Sequence, residues 1–180
     1  MRGVALLRGI NVGARNKIPM SDLRSLCEGL GWSSVVTHLQ TGNVAFNAAG
    51  RKAGLEATLE QAIASELGVS VPVIVRDAKT IAAYLDSCPL GRDAEREPSR
   101  TLLYVTKLPV AAAALEALRA RAQAGEQVSV QRDCLWIHFS KGVAGSKLSP
   151  RVIDKAVGSP ATGRNWNTMS KVRNLLQASV

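Results

Sequence analysis

Residues 35–46 read Val35-Val36-Thr37-His38-Leu39-Gln40-Thr41-Gly42-Asn43-Val44-Ala45-Phe46. Val35, Thr37 and Leu39 alternate with Val36, His38 and Gln40, which gives a strand two distinct faces. Thr41-Gly42-Asn43 carries turn chemistry and residues 44–46 begin a returning strand, so the stretch predicts a β-hairpin. What flanks the hairpin decides the fold. Upstream, Val4 to Leu7 reads as a short buried strand, followed by a polar, glycine-bearing loop over residues 9–17. Pro19 suits a helix start, Met20, Leu23, Cys27 and Leu30 fall on one helical face, and Gly31 fits the C-terminal cap. Downstream, residues 55–67 have helical periodicity and residues 69–76 are β-branched and strand-like. The predicted order is β-α-β-β-α-β, the ferredoxin-like arrangement.

A helix is expected over residues 79–85, and the charged stretch 91–100, GRDAEREPSR, reads as a linker. A second round follows. Its predicted elements are a strand over 101–106, an Ala-rich helix over 110–122, and strands over 127–131 and 134–139 with Arg132-Asp133 at the turn. Ser149-Pro150 starts a helix that Gly158 ends. A final helix carries Trp166, Met169, Val172 and Leu176 on one side. The expectation is an α/β protein of α+β type, built from two ferredoxin-like halves packed together, residues 1–90 and 91–180. No residue identity between the halves stands out, so duplication is read from topology.

The chain is 180 residues and 46% hydrophobic, enough to bury a core as one domain or two small ones. With seven aromatic residues the core must be built largely of Leu, Val and Ala. The net charge of +9 sits in two stretches. Residues 8–20 hold Arg8, Arg15 and Lys17 and no acid; residues 140–180 hold seven cations against Asp154 alone. Cations concentrated in this way present a positive surface to an anionic partner. The apolar start is interrupted by Arg8 after four residues, too short for a signal peptide or a membrane span, so a soluble cytoplasmic protein is expected. Cys27, Cys88 and Cys134 are odd in number and widely spaced, which argues against a disulfide framework or a thiolate zinc site and for small buried hydrophobes. His38 and His138 have no metal-ligand spacing, and no metal or cofactor is expected.

The loop Arg8-Gly9-Ile10-Asn11-Val12-Gly13 joins a strand to a helix, where backbone N–H groups can hold an anion, although neither a Walker A nor a G-x-G-x-x-G pattern is present. Its alternative is a structural turn with exposed cations. A second cluster, Thr162-Gly163-Arg164-Asn165-Trp166-Asn167-Thr168, puts Arg, Asn and Thr at the start of the last helix, where orphan N–H groups and the dipole add to the charge. Its alternative is capping by Asn165 or Asn167 with Trp166 in the core.

Together with two further segments these stretches resemble a known family. RGINVGARNKIPM (8–20), THLQTGNVAF (37–46), HFSKGVAGSKL (138–148) and TGRNWNT (162–168) are similar to the markers of the bacterial family called domain of unknown function 1697. The resemblance implies a duplicated α/β fold in small cytoplasmic bacterial proteins, and no settled activity. The matching positions are Arg8, Asn11, Gly13, Asn43, Lys147, Thr162, Arg164, Asn165 and Trp166. His38 stands where an aromatic such as Tyr is expected, and Ala14 replaces a usual Gly.

Acids are absent from both motif regions apart from Asp154, so no carboxylate pair is available there for glycosidase or two-metal chemistry. A Ser–His–acid set would need Ser146 or Ser149, His138 and Asp154, with no G-x-S-x-G elbow to present it; His138 reads better as a hydrogen-bonded strand residue at a sheet edge. The first strand lacks the aromatics on which an RNA-recognition motif stacks bases. The expected function is binding of a phosphate-bearing ligand, nucleic acid or nucleotide-like, in a basic groove between the halves. Arg8 and Arg164 would clamp phosphate, Lys147 would add a point charge, and Asn11, Asn43 and Asn165 would orient the ligand. The alternatives are a cofactor-free enzyme acting on a small phosphorylated or carboxylated substrate, with Lys147 or Thr162 moving protons, and an interaction module for an acidic protein.

Overall fold

The structure is a computed structural model that describes residues 1–13, 15–131 and 133–178. It divides into two units, Met1–Ala83 with the C-terminal segment from Lys171, and Tyr84–Ser170. The first unit contains β1 (Arg2–Leu7), α1 (Met20–Gly29), β2 (Ser33–His38), β3 (Asn43–Asn47), α2 (Lys52–Leu67) and β4 (Val73–Asp77), and α3 (Ala78–Asp86) begins there. The second contains α4 (Gly91–Arg96), β5 (Thr101–Thr106), α5 (Ala114–Arg119), β6 (Gln127–Gln131), β7 (Cys134–His138), α6 (Pro150–Val157), β8 (Ala161–Asn165) and the start of α7 (Trp166–Ala178). The sheet orders are β2-β3-β1-β4 and β6-β7-β5-β8, antiparallel throughout. Both are the ferredoxin-like order, so the mixed α/β class and the two similar halves stand.

The inner strands of each sheet are buried on both faces. Ala5, Leu7, Val73 and Val75 pack with Leu23 and Leu26 of α1 and Leu59 and Ile63 of α2. In the second unit Tyr104, Leu135, Ile137 and Ala161 pack with Leu118 of α5 and Ile153 of α6. The intervening residues, among them Val4, Leu6, Ile74, Leu103 and Trp136, are buried as well. Burial on both sides is why β1 reads as an apolar run rather than an alternation.

The structure corrects several boundaries. Leu39 leaves β2 with φ +58° and is exposed, so the strand stops at His38. Residues 69–72 stay outside β4, which begins after Pro72. Inside the charged stretch 91–100, expected as a linker, α4 forms because Ala94 is fully buried and the Glu97 carbonyl accepts from Arg100 and Thr101 N–H. The Ala-rich helix covers only 114–119. The Arg132 half of the predicted turn lies outside the described residues.

The larger correction is β8. Residues 161–165, expected to lead into the last helix, form an edge strand with Gly163 opposite Tyr104 and Arg164 opposite Leu103. A Cβ at Gly163 would lie 2.6 Å from Tyr104 Cε1, so only glycine lets the ring lie over the strand. With β8 in place, a repeat becomes visible. Segments 72–80 and 160–168 read PVIVRDAKT and PATGRNWNT, identical at Pro, Arg and Thr. Arg8 N–H donates to Pro72 O at 3.0 Å, and Lys107 N–H to Pro160 O at 2.9 Å. Asp77 Oδ1 accepts from Thr80 N at 2.7 Å, and Asn165 Oδ1 from Thr168 N at 2.9 Å. Arg76 and Arg164 are both buried, 2% and 8% exposed.

Two of the four edge strands, β4 and β8, are covered by carboxylates from the helices. On β4, Val73 N–H donates to Glu60 Oε1 and Val75 N–H to Glu56 Oε1, at 2.7 and 2.8 Å. On β8, Ala161 N–H donates to Asp154 Oδ1 at 3.0 Å. Residues four apart on α2 share a face, so Glu56 and Glu60 reach alternate N–H groups and occupy a potential pairing edge.

Candidate anion-binding site

The β1–α1 loop is a braced tongue. Ile10 and Ile18 are buried and anchor its two ends, while Val12 and Arg15 form a single antiparallel bridge between them. Asn11 and Asn16 take φ of +53° and +49°, a region Asn tolerates better than most residues. Asn11 N–H donates to Asn16 O at 3.0 Å, and Asn16 Nδ2 donates to Gly9 O at 3.1 Å. The Asn11 carboxamide donates to Ile18 O and to Gln40 O, at 2.9 and 2.8 Å, and its Oδ1 accepts from Ile18 N at 2.9 Å. It therefore grips Ile18 as a neighbouring strand would and ties the tongue to the β2–β3 hairpin.

Asn11 was expected to orient a ligand, and its polar capacity is largely used by the fold. Asn11→Ala loses three hydrogen bonds worth ~1 kcal/mol each and puts Ala at a positive φ. The expected loss is roughly 3 kcal/mol of unfolding free energy, read from urea denaturation.

With the loop fixed from inside, Val12, Gly13, Arg15, Asn16 and Lys17 are left exposed. Asn11, Gly13, Lys17, Ile18, Pro19 and Gln40 line an open recess of about 330 Å³. At this recess α1 begins after Pro19, which contributes no side-chain cap. Arg8 lies at the base of the tongue, partly exposed. Ala14 lies outside the described residues.

Asn43 is buried, donating to His38 O at 2.7 Å and Thr41 Oγ1 at 3.2 Å, so it closes the hairpin from inside. His38 is half-buried, and burial, then the charge of Lys171, holds its pKa below the ordinary value.

The other predicted residues belong to the second unit. Thr162 and Arg164 come together on β8: Arg164 Nη1 donates to Thr162 Oγ1 at 2.8 Å and to Gly163 O at 2.9 Å. Burial pulls the Arg164 pKa down to about 10. Asn165 caps α7 through Thr168, and Trp166 packs against Trp136 with ring centroids 5.7 Å apart. Lys147 is exposed on a loop, donating to Gln123 Oε1.

The residues weighed as a Ser–His–acid set are dispersed among other duties. Ser146 donates to Glu126, Ser149 caps α6 and Asp154 covers β8. On Glu126, partial burial raises the pKa, but the Ser146 bond, backbone N–H groups and Lys141 together bring it below the ordinary value. His138 sits on an inner strand rather than an edge, with Thr101 Oγ1 2.9 Å from Nδ1 and Glu97 Oε2 3.3 Å from Nε2. Thr101 is fully buried, so this array locks α4 to the sheet and offers no accessible nucleophile. Cys27 and Cys134 are buried and Cys88 half-buried; burial, then Glu28, pushes the Cys27 thiol up to about 12. Among the described residues no helix is long and apolar enough to cross a membrane.

Glu56, Glu60 and Arg76 escaped sequence reasoning. The signal was present in the i, i+4 glutamates of α2 and in an arginine inside VIVRD.

The sequence profile of a family described as a protein of unknown function (DUF1697) matches residues 1–136. The chain belongs to this family. A solved structure of a conserved bacterial protein from Streptococcus pneumoniae is 23% identical, with a TM-score of 0.75 over 97% of this chain and 98% of that one. At that identity the likeness concerns the fold. No curated protein matches the chain.

Proposed function

We propose that this family member binds a phosphate-bearing ligand, nucleic acid or a nucleotide-like molecule, at the β1–α1 tongue, and does so in the cytoplasm. The observation that carries the reading is the recess at the uncapped start of α1, lined by Lys17 and Gly13, with Arg15 exposed on the same loop. A loop already held by its own asparagines loses little conformational freedom when an anion arrives, which favours binding. Flexible cations give reach, and backbone N–H groups at a helix start add a fixed partial positive charge. The cations supporting this reading are Arg8, Arg15 and Lys17; Arg164 serves β8 from a buried position.

Fluorescence anisotropy with a labelled oligonucleotide across a salt series tests it. Each neutralised phosphate contributes a log–log slope of roughly −0.7 to −0.9, so three contacts give about −2 to −3. Arg15→Ala and Lys17→Ala should each flatten the slope by about one unit. Binding of a mononucleotide or sugar phosphate in place of an oligonucleotide would assign the site to a small ligand. Absence of binding to both would sink the reading.

A further inference from the structure

The repeat puts two grooves at equivalent points of the two units, and their rims carry opposite charge. Between α1 and α2 a recess of about 380 Å³ is floored by Leu26, Leu30 and Leu67 and rimmed by Asp22 and Glu66. Between α5 and α6 a recess of about 310 Å³ is floored by Ala113, Ala117, Val152 and Ala156 and rimmed by Arg121 and Lys155. All four rim residues are exposed. The helices around each groove agree with its rim: acids outnumber bases on α1 and α2, and bases outnumber acids across α5, Arg121 and α6.

We propose that these faces are the two sides of one self-association contact, the α1/α2 face of one copy seating on the α5/α6 face of a second. Charge complementarity selects the occupant. Either face against its own copy would oppose like charges, so a two-fold dimer through one face is disfavoured. The acidic rim of one copy against the basic rim of the next pairs opposite charges around apolar floors. Such a contact is head-to-tail, and copies joined by it either close into a ring or leave one acidic and one basic face open for further copies. The contact shares no residue with the β1–α1 tongue, and it stands or falls apart from the phosphate reading.

Sedimentation velocity on the full chain, from micromolar to millimolar protein, tests the proposal. The weight-average mass should rise with concentration above that of the single chain. Association should weaken about tenfold or more as salt shortens the Debye length from about 10 Å to about 3 Å. Arg121→Glu with Lys155→Glu leaves two acidic grooves, and Asp22→Lys with Glu66→Lys leaves two basic ones. Each doubly reversed protein should be monomeric with an unchanged circular dichroism spectrum, and mixing the two should restore association. A wild-type chain that stays monomeric throughout overturns the proposal. So does association that survives either reversal, or a mixture of the reversed proteins that remains monomeric.

Discussion

Glu56→Ala is expected to lower the unfolding free energy by about 3–5 kcal/mol, the usual consequence of removing one member of a buried charged pair. The Glu56 carboxylate does two things. Its Oε1 accepts from Val75 N on the edge strand at 2.8 Å, and the same atom lies 3.8 Å from Arg76 Nη1. Arg76 is 2% exposed and also donates to Val75 O at 2.8 Å. Truncation takes a negative charge from beside a buried guanidinium and uncovers an edge N–H. Glu56→Gln keeps an oxygen for Val75 N and loses only the charge, so it should fall between wild type and Ala. Urea denaturation with an unchanged m-value is the measurement. An Ala variant within ~1 kcal/mol of wild type would show that Arg76 does not depend on this carboxylate.

The fold was legible wherever one physical pattern dominated. Residues 35–46 alternate and then turn on Thr41-Gly42-Asn43, and the structure builds β2 and β3 there. Gly42 holds φ +75°, and a Cβ would come within 2.7 Å of Ile10 Cδ1, so the hairpin and the tongue need that glycine together. The strand β8 was not legible, because Ala161-Thr162-Gly163-Arg164-Asn165 has no apolar alternation. Its strand character comes from pairing with β5 and from the Tyr104 ring over Gly163, both long-range contacts. The helix α4 was hidden by its charges, since one buried alanine is enough to seat a short helix. At the site, the basic polar loop was visible from composition, but the duty of its asparagines was not. A carboxamide in a polar loop reads the same whether it grips Ile18, as Asn11 does, or faces a ligand. Arg76 was masked for the opposite reason, as one cation in an apolar strand that looks like core.

Arg164→Ala should cost roughly 3 kcal/mol, from the lost packing of a long buried side chain and of hydrogen bonds to Thr162 and Gly163. The charge itself works against the folded state. Burial lowers the pKa from the ordinary 12.5 to about 10, so folding disfavours the protonated form. For a base with a depressed folded value, that penalty is present wherever the guanidinium stays protonated. At neutral pH the guanidinium is charged and the penalty applies. Arg164→Met removes the charge and keeps most of the volume, so it should lie about 2 kcal/mol closer to wild type than Ala does. Both variants should leave the oligonucleotide salt slope unchanged, because the guanidinium is buried and already donates to Thr162 and Gly163. A slope flattened by about one unit in Arg164→Met, with stability intact, would return this arginine to the ligand-binding surface.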